Sequence, residues 1–259
     1  MSWAMRRRIL YLTGVALFFI VLIGLPIAYK LTTVAPTCHD GEQNQGESAP
    51  DKGGPCAPVD TSTLAPSSVL WTRSFKVRDG SYSAASYIQN PNDHAGVSKI
   101  SYVFRLYDSQ NILVAERHGD TFVMPGGITP VYEPNIDTGN RNAAHAFFEF
   151  TSAATWLHFD DTARVIKVTD RSITDTDTVP RLEAKATNSS VSALADINFV
   201  AVIFDTAGNA FAASATHVDR MEAGQSQQIV FTWPNPFALQ VGRIDILPVM
   251  PPKAAWTQE

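Results

Sequence analysis

A regular alternation of side chains between Ile100 and Asp108 constrains the fold more than any other feature of the chain. Successive side chains of a strand point to opposite faces of a sheet, so this pattern predicts a half-buried β-strand. The turn formers of residues 108–111 follow, and a second apolar run starts at Ile112, which together predict a β-hairpin. The side chains expected to face the core are Ile100, Tyr102, Phe104 and Leu106.

The same pattern returns when Asp205 is aligned with Asp108, and similar landmarks recur around both in the same order. Such self-similarity predicts an internal repeat. The second set of core-facing residues is Ile197, Phe199, Ala201 and Ile203. The paired landmarks are the polar turns 90–92 and 188–190, the turns 124–127 and 221–224, the apolar strands 146–150 and 228–233, and the alternating strands 164–168 and 243–247.

Short strands with frequent turn signals and no amphipathic helix predict an all-β fold. We expect two tandem immunoglobulin/fibronectin-like β-sandwich domains behind a single N-terminal transmembrane helix, joined end to end by a short polar link, 170–180. The expected divisions are a cytoplasmic tip (1–8), a transmembrane helix (9–29), a linker (30–66), a first sandwich (67–172), a second sandwich (173–250) and a tail (251–259).

The run Ile9–Tyr29 contains no charged residue and would span one bilayer core, roughly 30 Å, as a helix. Arg6, Arg7 and Arg8 precede it, which favours a cytoplasmic N-terminus and an extracytoplasmic remainder at the cell membrane. The alternative is a cleaved signal peptide, which normally has a shorter apolar region and a small-residue cleavage site. The residues before Cys38 fit neither that site nor a lipoprotein site, so the sequence favours an uncleaved anchor.

The net charge of the chain is −5, although its first 30 residues contain four basic residues and no acidic residue. The remainder is therefore more acidic than the whole chain. Such a surface repels phosphate groups, which argues against nucleic acid as a partner.

The linker is rich in Gly, Pro, Ser and Asp, without periodicity, and reads as a tether between membrane and sandwich. It contains both cysteines of the chain, Cys38 and Cys56. Outside the cytoplasm, two cysteines in one loop are expected to form a disulfide.

The pattern C-x-D-G-x-x-N-x-x-E from Cys38 to Glu47, followed by D-x-G-G-x-C up to Cys56, resembles a small cysteine-rich module of surface proteins. Lys52 and Val59 stand where that module has further cysteines. The resemblance implies that one bridge has been lost and that Cys38–Cys56 remains.

Four oxygen-bearing side chains in this loop are candidate ligands for Ca²⁺, a cation that prefers oxygen donors. The alternative is that they form turns and face solvent. The four are Asp40, Asn44, Glu47 and Asp51.

The stretch Phe104–Asp108 resembles the F-x-L-Y-D motif of a family of bacterial extracellular sandwich domains. The Gly/Asn turn and later Pro-Gly turn of that family are matched by Asn111 and Pro125-Gly126, and a degenerate copy surrounds Asp205. The resemblance implies a scaffold or recognition role without chemistry, because a sandwich fold alone specifies no activity.

One expected outward face of the second repeat is apolar, and it consists of Val200, Val202 and Phe204. An apolar outer face is normally covered by something. The neighbouring domain or a loop could cover it, or it could bind a partner protein or a second copy.

The sequence contains no metal-binding histidine pair, no nucleophile elbow and no phosphate loop. The polar cluster 158–161 is better explained by a turn between strands than by a catalytic site. The segment Trp233–Phe237 is better explained by packing in the core or against a loop than by stacking on a sugar. We therefore expect a non-catalytic, membrane-anchored extracytoplasmic scaffold or protein-recognition module in a bacterial envelope or surface assembly. Its expected partners are other envelope proteins or itself. The alternatives are an adhesin-like binding protein and a glycan-active enzyme that uses carboxylates on loops.

Overall fold

The uncharged run near the N-terminus forms a helix, α1 (Trp3–Thr32), and strands dominate the rest of the chain. The computed structural model describes residues 3–32, 37–44, 46–54, 56, 58–159 and 165–251. Its strands are β1 (Ser68–Arg78), β2 (Ser81–Asn90), β3 (Ala95–Tyr107), β4 (Leu113–Val123), β5 (Gly127–Asp137), β6 (His145–Phe150), β7 (Trp156–His158), β8 (Ile166–Thr174), β9 (Arg181–Asn188), β10 (Leu194–Asp205), β11 (Ala210–Met221), β12 (Ser226–Thr232) and β13 (Val241–Val249).

Helix α1 has the length and composition needed to cross a membrane between Trp3 and Ile27, and this apolar segment is not buried against the rest of the protein. A signal sequence near an N-terminus has the same properties. Pro26 lies near the end of the helix.

The described strands form four antiparallel sheets with two matching strand orders. In the first half of the chain, one sheet has the order β1–β2–β5 and the other β4–β3–β6, with β7 also paired to β3. In the second half the orders are β8–β9–β12 and β11–β10–β13. The chain is therefore an all-β protein of sandwiches behind one helix, as the alternation predicted.

Each pair of sheets encloses one of the cores that the alternation identified. All four predicted side chains of β3 are buried in the first core, together with residues of β2 and β5. The four predicted side chains of β10 are buried in the second core, against β9, β12 and β13. The hairpin between β3 and β4 is also confirmed.

A third apolar layer, which we call the junction, joins the two sandwiches face to face. Its buried residues are Phe75, Ala85, Tyr87, Val200, Val202, Phe204, Ala213 and Val249. The four sheets therefore stack as parallel layers, and the expected end-to-end arrangement is wrong. Strand β2 is buried on both faces as a result.

The polar link expected at 170–180 is wrong in part, because residues 170–174 belong to β8, which pairs with β9. The first of these residues are polar because they lie on an edge strand whose side chains are largely exposed. The expected domain limits stay a prediction, although the one at 172/173 falls inside β8. Residue 164, expected to start this strand, lies outside the described residues.

The strand pairings show that two of the matched landmarks do not correspond. Strand β6 pairs with β3, as β13 pairs with β10, whereas β12 pairs with β9, as β5 pairs with β2. The match of 146–150 with 228–233 is therefore wrong, and so is the match of 164–168 with 243–247. Both errors arose because short alternating runs look alike in sequence whichever strand they pair with.

The turns after β3 and β10 are closed by equivalent aspartates. Asp108 Oδ1 accepts hydrogen bonds from the backbone N–H groups of Gln110 and Ile112. Asp205 Oδ1 accepts them from Ala207 and Asn209. These bonds explain why an aspartate occupies both positions, since its carboxylate replaces backbone acceptors in the turn.

The first of these turns is expected to be pH-sensitive. The Ile112 N–H and the Arg141 guanidinium hold the pKa of Asp108 below its usual value. A depressed pKa contributes stability that is present above the unfolded value, about 3.9, and is lost as the pH falls through the folded value. We expect Asp108→Asn to be less stable than wild type at pH 7 and to lose less stability between pH 4 and pH 2, measured by urea unfolding. Equal losses in both proteins would contradict this assignment.

Candidate functional site

The described residues of the cysteine segment form a loop held by a disulfide between Cys38 and Cys56, as the sequence predicted. Their Cα atoms lie 5.4 Å apart. Glu47 is buried beside the bridge, and its Oε2 accepts hydrogen bonds from the Asn44 and Asp51 backbone N–H groups.

The four candidate calcium ligands lie in this loop, and their oxygens mostly accept hydrogen bonds from the loop itself. Asp40 accepts from the Thr37 and Glu42 N–H groups and from the Asn44 amide, and these bonds lower its pKa. Asp51 accepts from the Gly41 N–H. Of the described polar atoms in the loop, Asn44 Oδ1 is buried without a partner.

Among the described residues, the one cluster with metal-ligand spacing consists of Cys38, Glu47 and Cys56. Both sulfurs are consumed by the disulfide, and a thiolate is what binds a metal. This cluster therefore stabilises the loop, and calcium binding by the four oxygen ligands stays a prediction.

The loop is docked on the first sandwich, so the segment is not a free tether along its whole length. Pro58 forms an isolated bridge with Leu157 of β7, and the Val59 N–H donates to the Trp156 carbonyl. Asn92 exchanges two hydrogen bonds with the backbone of Ala65. These contacts fix the described loop against one end of the first sandwich.

Opening the bridge is expected to release this loop. A disulfide of this spacing contributes about 3 kcal/mol by restricting the unfolded chain, and the loop has little apolar core of its own. We expect the double variant Cys38→Ser, Cys56→Ser to be cleaved between residues 37 and 59 in limited proteolysis, with the sandwiches intact. His39→Ala, which leaves the bridge in place, is the control, and equal cleavage in both proteins would count against this role.

The junction contains an aromatic cluster that fixes the two sandwiches relative to each other. Trp71 packs on Tyr87 with ring centroids 4.4 Å apart and meets the Phe204 ring edge-on at 6.0 Å. The Arg243 guanidinium lies 3.9 Å from the centroid of the Phe204 ring. Burial, and then the nearby Asp245 charge, raises the pKa of Tyr87, so its hydroxyl stays neutral and can donate to Asp245.

The structure therefore answers the question left open for Val200, Val202 and Phe204. The first sandwich covers all three, and they are not exposed for another protein. As candidate interface residues for a partner they are wrong, because the strands that face them come from the same chain.

An exposed surface that the sequence reasoning missed lies on the outer face of β3 and β6. Phe147 is 60% exposed and meets the Tyr107 ring edge-on at 5.5 Å. Beside them, Arg105 binds Glu116 and Glu149 at 2.8 and 2.7 Å. The adjacent pair Phe147-Phe148 could have indicated this exposed ring, because two successive side chains of a strand point to opposite faces and one of the rings must then face away from the core.

The other sequence candidates have structural roles where they are described. Trp233 is buried, and its indole N–H donates to the Ala213 carbonyl, as expected for core packing. Asp160 and Asp161 lie outside the described residues. His158 stacks on His94 at the end of β7.

No protein-family model matches the chain, and no curated protein matches it in sequence. Solved structures with distant similarity include a transglutaminase and two β-glucuronidases. Red sea bream transglutaminase has 8% identity and a TM-score of 0.24 over 71% of this chain and 29% of its own. A glycoside hydrolase family 2 β-glucuronidase has 11% identity and a TM-score of 0.22 over 62% and 21%. A Bacteroides uniformis β-glucuronidase has 12% identity and a TM-score of 0.20 over 68% and 22%. The chain thus spans less than a third of each of these proteins, and at such scores the likeness carries no functional argument.

Proposed function

We propose that this chain is a single-pass membrane protein that presents two tandem immunoglobulin/fibronectin-like sandwiches outside the cytoplasm. In this proposal the sandwiches form a non-catalytic scaffold or protein-recognition module of a bacterial envelope or surface assembly. The F-x-L-Y-D resemblance around Asp108 and the shared strand orders of the two halves support the family and repeat assignments.

The observation that carries the proposal is the disulfide loop between the apolar helix and the first sandwich. Disulfides persist outside the cytoplasm and are rare within it, so the Cys38–Cys56 bridge favours an extracytoplasmic position. The loop is hydrogen-bonded to β7, and the sandwiches are joined through the junction. A stiff body close to an anchor is suited to holding a binding surface at a set distance from the membrane.

The test is purification of the tagged full-length protein from native membranes after crosslinking in cells. We expect an envelope protein or a second copy in a fixed ratio to the chain. The control is a variant lacking residues 3–32, which should lose that ratio because it is no longer held at the membrane. Recovery of the full-length chain alone, as a monomer, would contradict the assembly role.

A further inference from the structure

Strand β6 has one edge that no described strand pairs with, because its sheet ends there in the order β4–β3–β6. The Thr151 N–H donates to the Ser101 carbonyl of β3. This bond shows which residues of β6 direct their backbone N–H and C=O groups toward β3. Backbone groups alternate in direction along an antiparallel strand. The N–H and C=O groups of Ala146, Phe148 and Phe150 therefore point away from β3, toward the open edge.

The equivalent edge of the second sandwich is protected in two ways, which shows how unusual β6 is. In β13, Pro248 has no N–H to offer on that edge, and proline is a common device for blunting edge strands. The Ile244 carbonyl on the same edge already accepts a hydrogen bond from the Arg171 guanidinium at 3.1 Å.

In the first sandwich, the cysteine loop pairs with β7 through Pro58, and no described residue of that loop is hydrogen-bonded to the backbone of β6. The sequence of β6, His-Ala-Phe-Phe-Glu-Phe, contains neither proline nor lysine. An open cleft of about 350 Å³ runs beside it, between residues 144–147 and residues 72–76 of β1. The edge thus carries neither of these two protections and borders a cleft, and β1 of the facing sheet lies close to it on the other side of that cleft.

We propose that β6 pairs antiparallel with β6 of a second copy of this chain, with Phe147 opposite Phe147 across a two-fold axis. This register makes the strand complementary to itself, because it also places His145 opposite Glu149 at both ends. Aromatic pairs are stabilising when they face each other across strands, and the His145 ring can donate a hydrogen bond to the Glu149 carboxylate. Phe147 is exposed in the single chain, and the pairing buries its ring between two copies.

The contact is small compared with a stable protein interface, which buries roughly 1,200–2,000 Å². Association through six residues of edge pairing is therefore weak between freely diffusing molecules. Confinement of both copies in one membrane favours it by raising their local concentration. The inference deepens the proposed function by naming a second copy as a partner, and it rests on that proposal only for this confinement.

The test is oxidation of single-cysteine variants of the full-length protein in isolated membranes, with copper phenanthroline and non-reducing gels. The two native cysteines are paired, so they do not contribute free thiols. Residues opposite each other without mutual hydrogen bonds have Cα atoms about 4.5 Å apart, within the range that a disulfide bridges. We expect Phe147→Cys to form a disulfide-linked dimer with itself.

The register supplies matched controls. His145→Cys and Glu149→Cys should each fail to link to themselves, because identical positions are then about 13 Å apart along the strands, and they should link to each other when co-expressed. Val191→Cys, which is 97% exposed in a loop, measures random collision. The inference is overturned if Phe147→Cys gives no more dimer than Val191→Cys, if His145→Cys alone dimerises equally well, or if the Phe147→Cys adduct contains a different protein. Because the oxidant acts on both sides of isolated membranes, a negative result does not depend on topology and leaves the proposed membrane location to its own test.

Discussion

Replacing Phe204 by alanine is expected to lower the free energy of unfolding by about 3–5 kcal/mol, the usual cost of removing a buried phenyl ring. The side chain is 2% exposed and lies between the two sandwiches. Its removal opens a cavity among Trp71, Tyr87 and Arg243, and it also removes the cation–π contact with Arg243. The contacts of the Phe204 ring with Trp71 and Tyr87 exist only if the two halves stack face to face.

The measurement is urea unfolding of the full-length protein in detergent, followed by the fluorescence of its five tryptophans, which include Trp71 beside the junction and Trp233 in the second core. Phe147→Ala is the matched control, because it removes the same ring from an exposed position and should cost less than about 1 kcal/mol. Similar small effects of both substitutions would show that the sandwiches do not pack through this layer.

Replacing Asn188 by alanine is expected to lower the free energy of unfolding by about 3 kcal/mol. Each buried carbonyl group that is left without a hydrogen-bond donor costs about 1–3 kcal/mol. The side chain is 0% exposed, and its amide nitrogen donates to the carbonyls of Ser192, Met221 and Glu222. Its oxygen accepts from the Ser190 N–H and hydroxyl. The Asn188 side chain therefore joins the turn that precedes β10 to the turn that follows β11.

Asn198→Ala is the control for this prediction, because that amide lies on the surface and contacts His217. Urea unfolding should separate the two variants by at least 1 kcal/mol. If they lose equal stability, the Asn188 network does not hold the turns. Asn90 has the equivalent role in the first sandwich, where its amide donates to Ala95 and Met124.

The features that depend on local pattern could be predicted from the sequence. Alternation identified the buried faces of β3 and β10, since a period of two decides which side chains share a face. The turn at Asp108 and the Cys38–Cys56 bridge were also identified, because both depend on residues that are close in the chain.

The features that depend on which surfaces meet could not be predicted. An apolar outer face such as that of Val200 and Phe204 shows that something covers it but does not say what. The cover proved to be the sheet β1–β2–β5 of the same chain. The docking of the cysteine loop was missed for a similar reason, since it depends on backbone groups of β7 that leave no mark in the linker sequence. The open edge of β6 became recognisable only once the strand order was known.

The measurement that tests the central claim most directly is side-specific thiol labelling of the full-length protein in cells stripped of their outer layers. Two variants carry one added cysteine each, Val191→Cys in the second sandwich and Ser2→Cys before the apolar helix. We predict that a membrane-impermeant maleimide labels Val191→Cys in these stripped cells while their cytoplasmic membrane is intact. It should label Ser2→Cys only after that membrane is lysed, and both proteins should be in the membrane fraction. Labelling of Val191→Cys only after lysis, or recovery of a shortened soluble chain, would contradict a membrane-anchored extracytoplasmic scaffold.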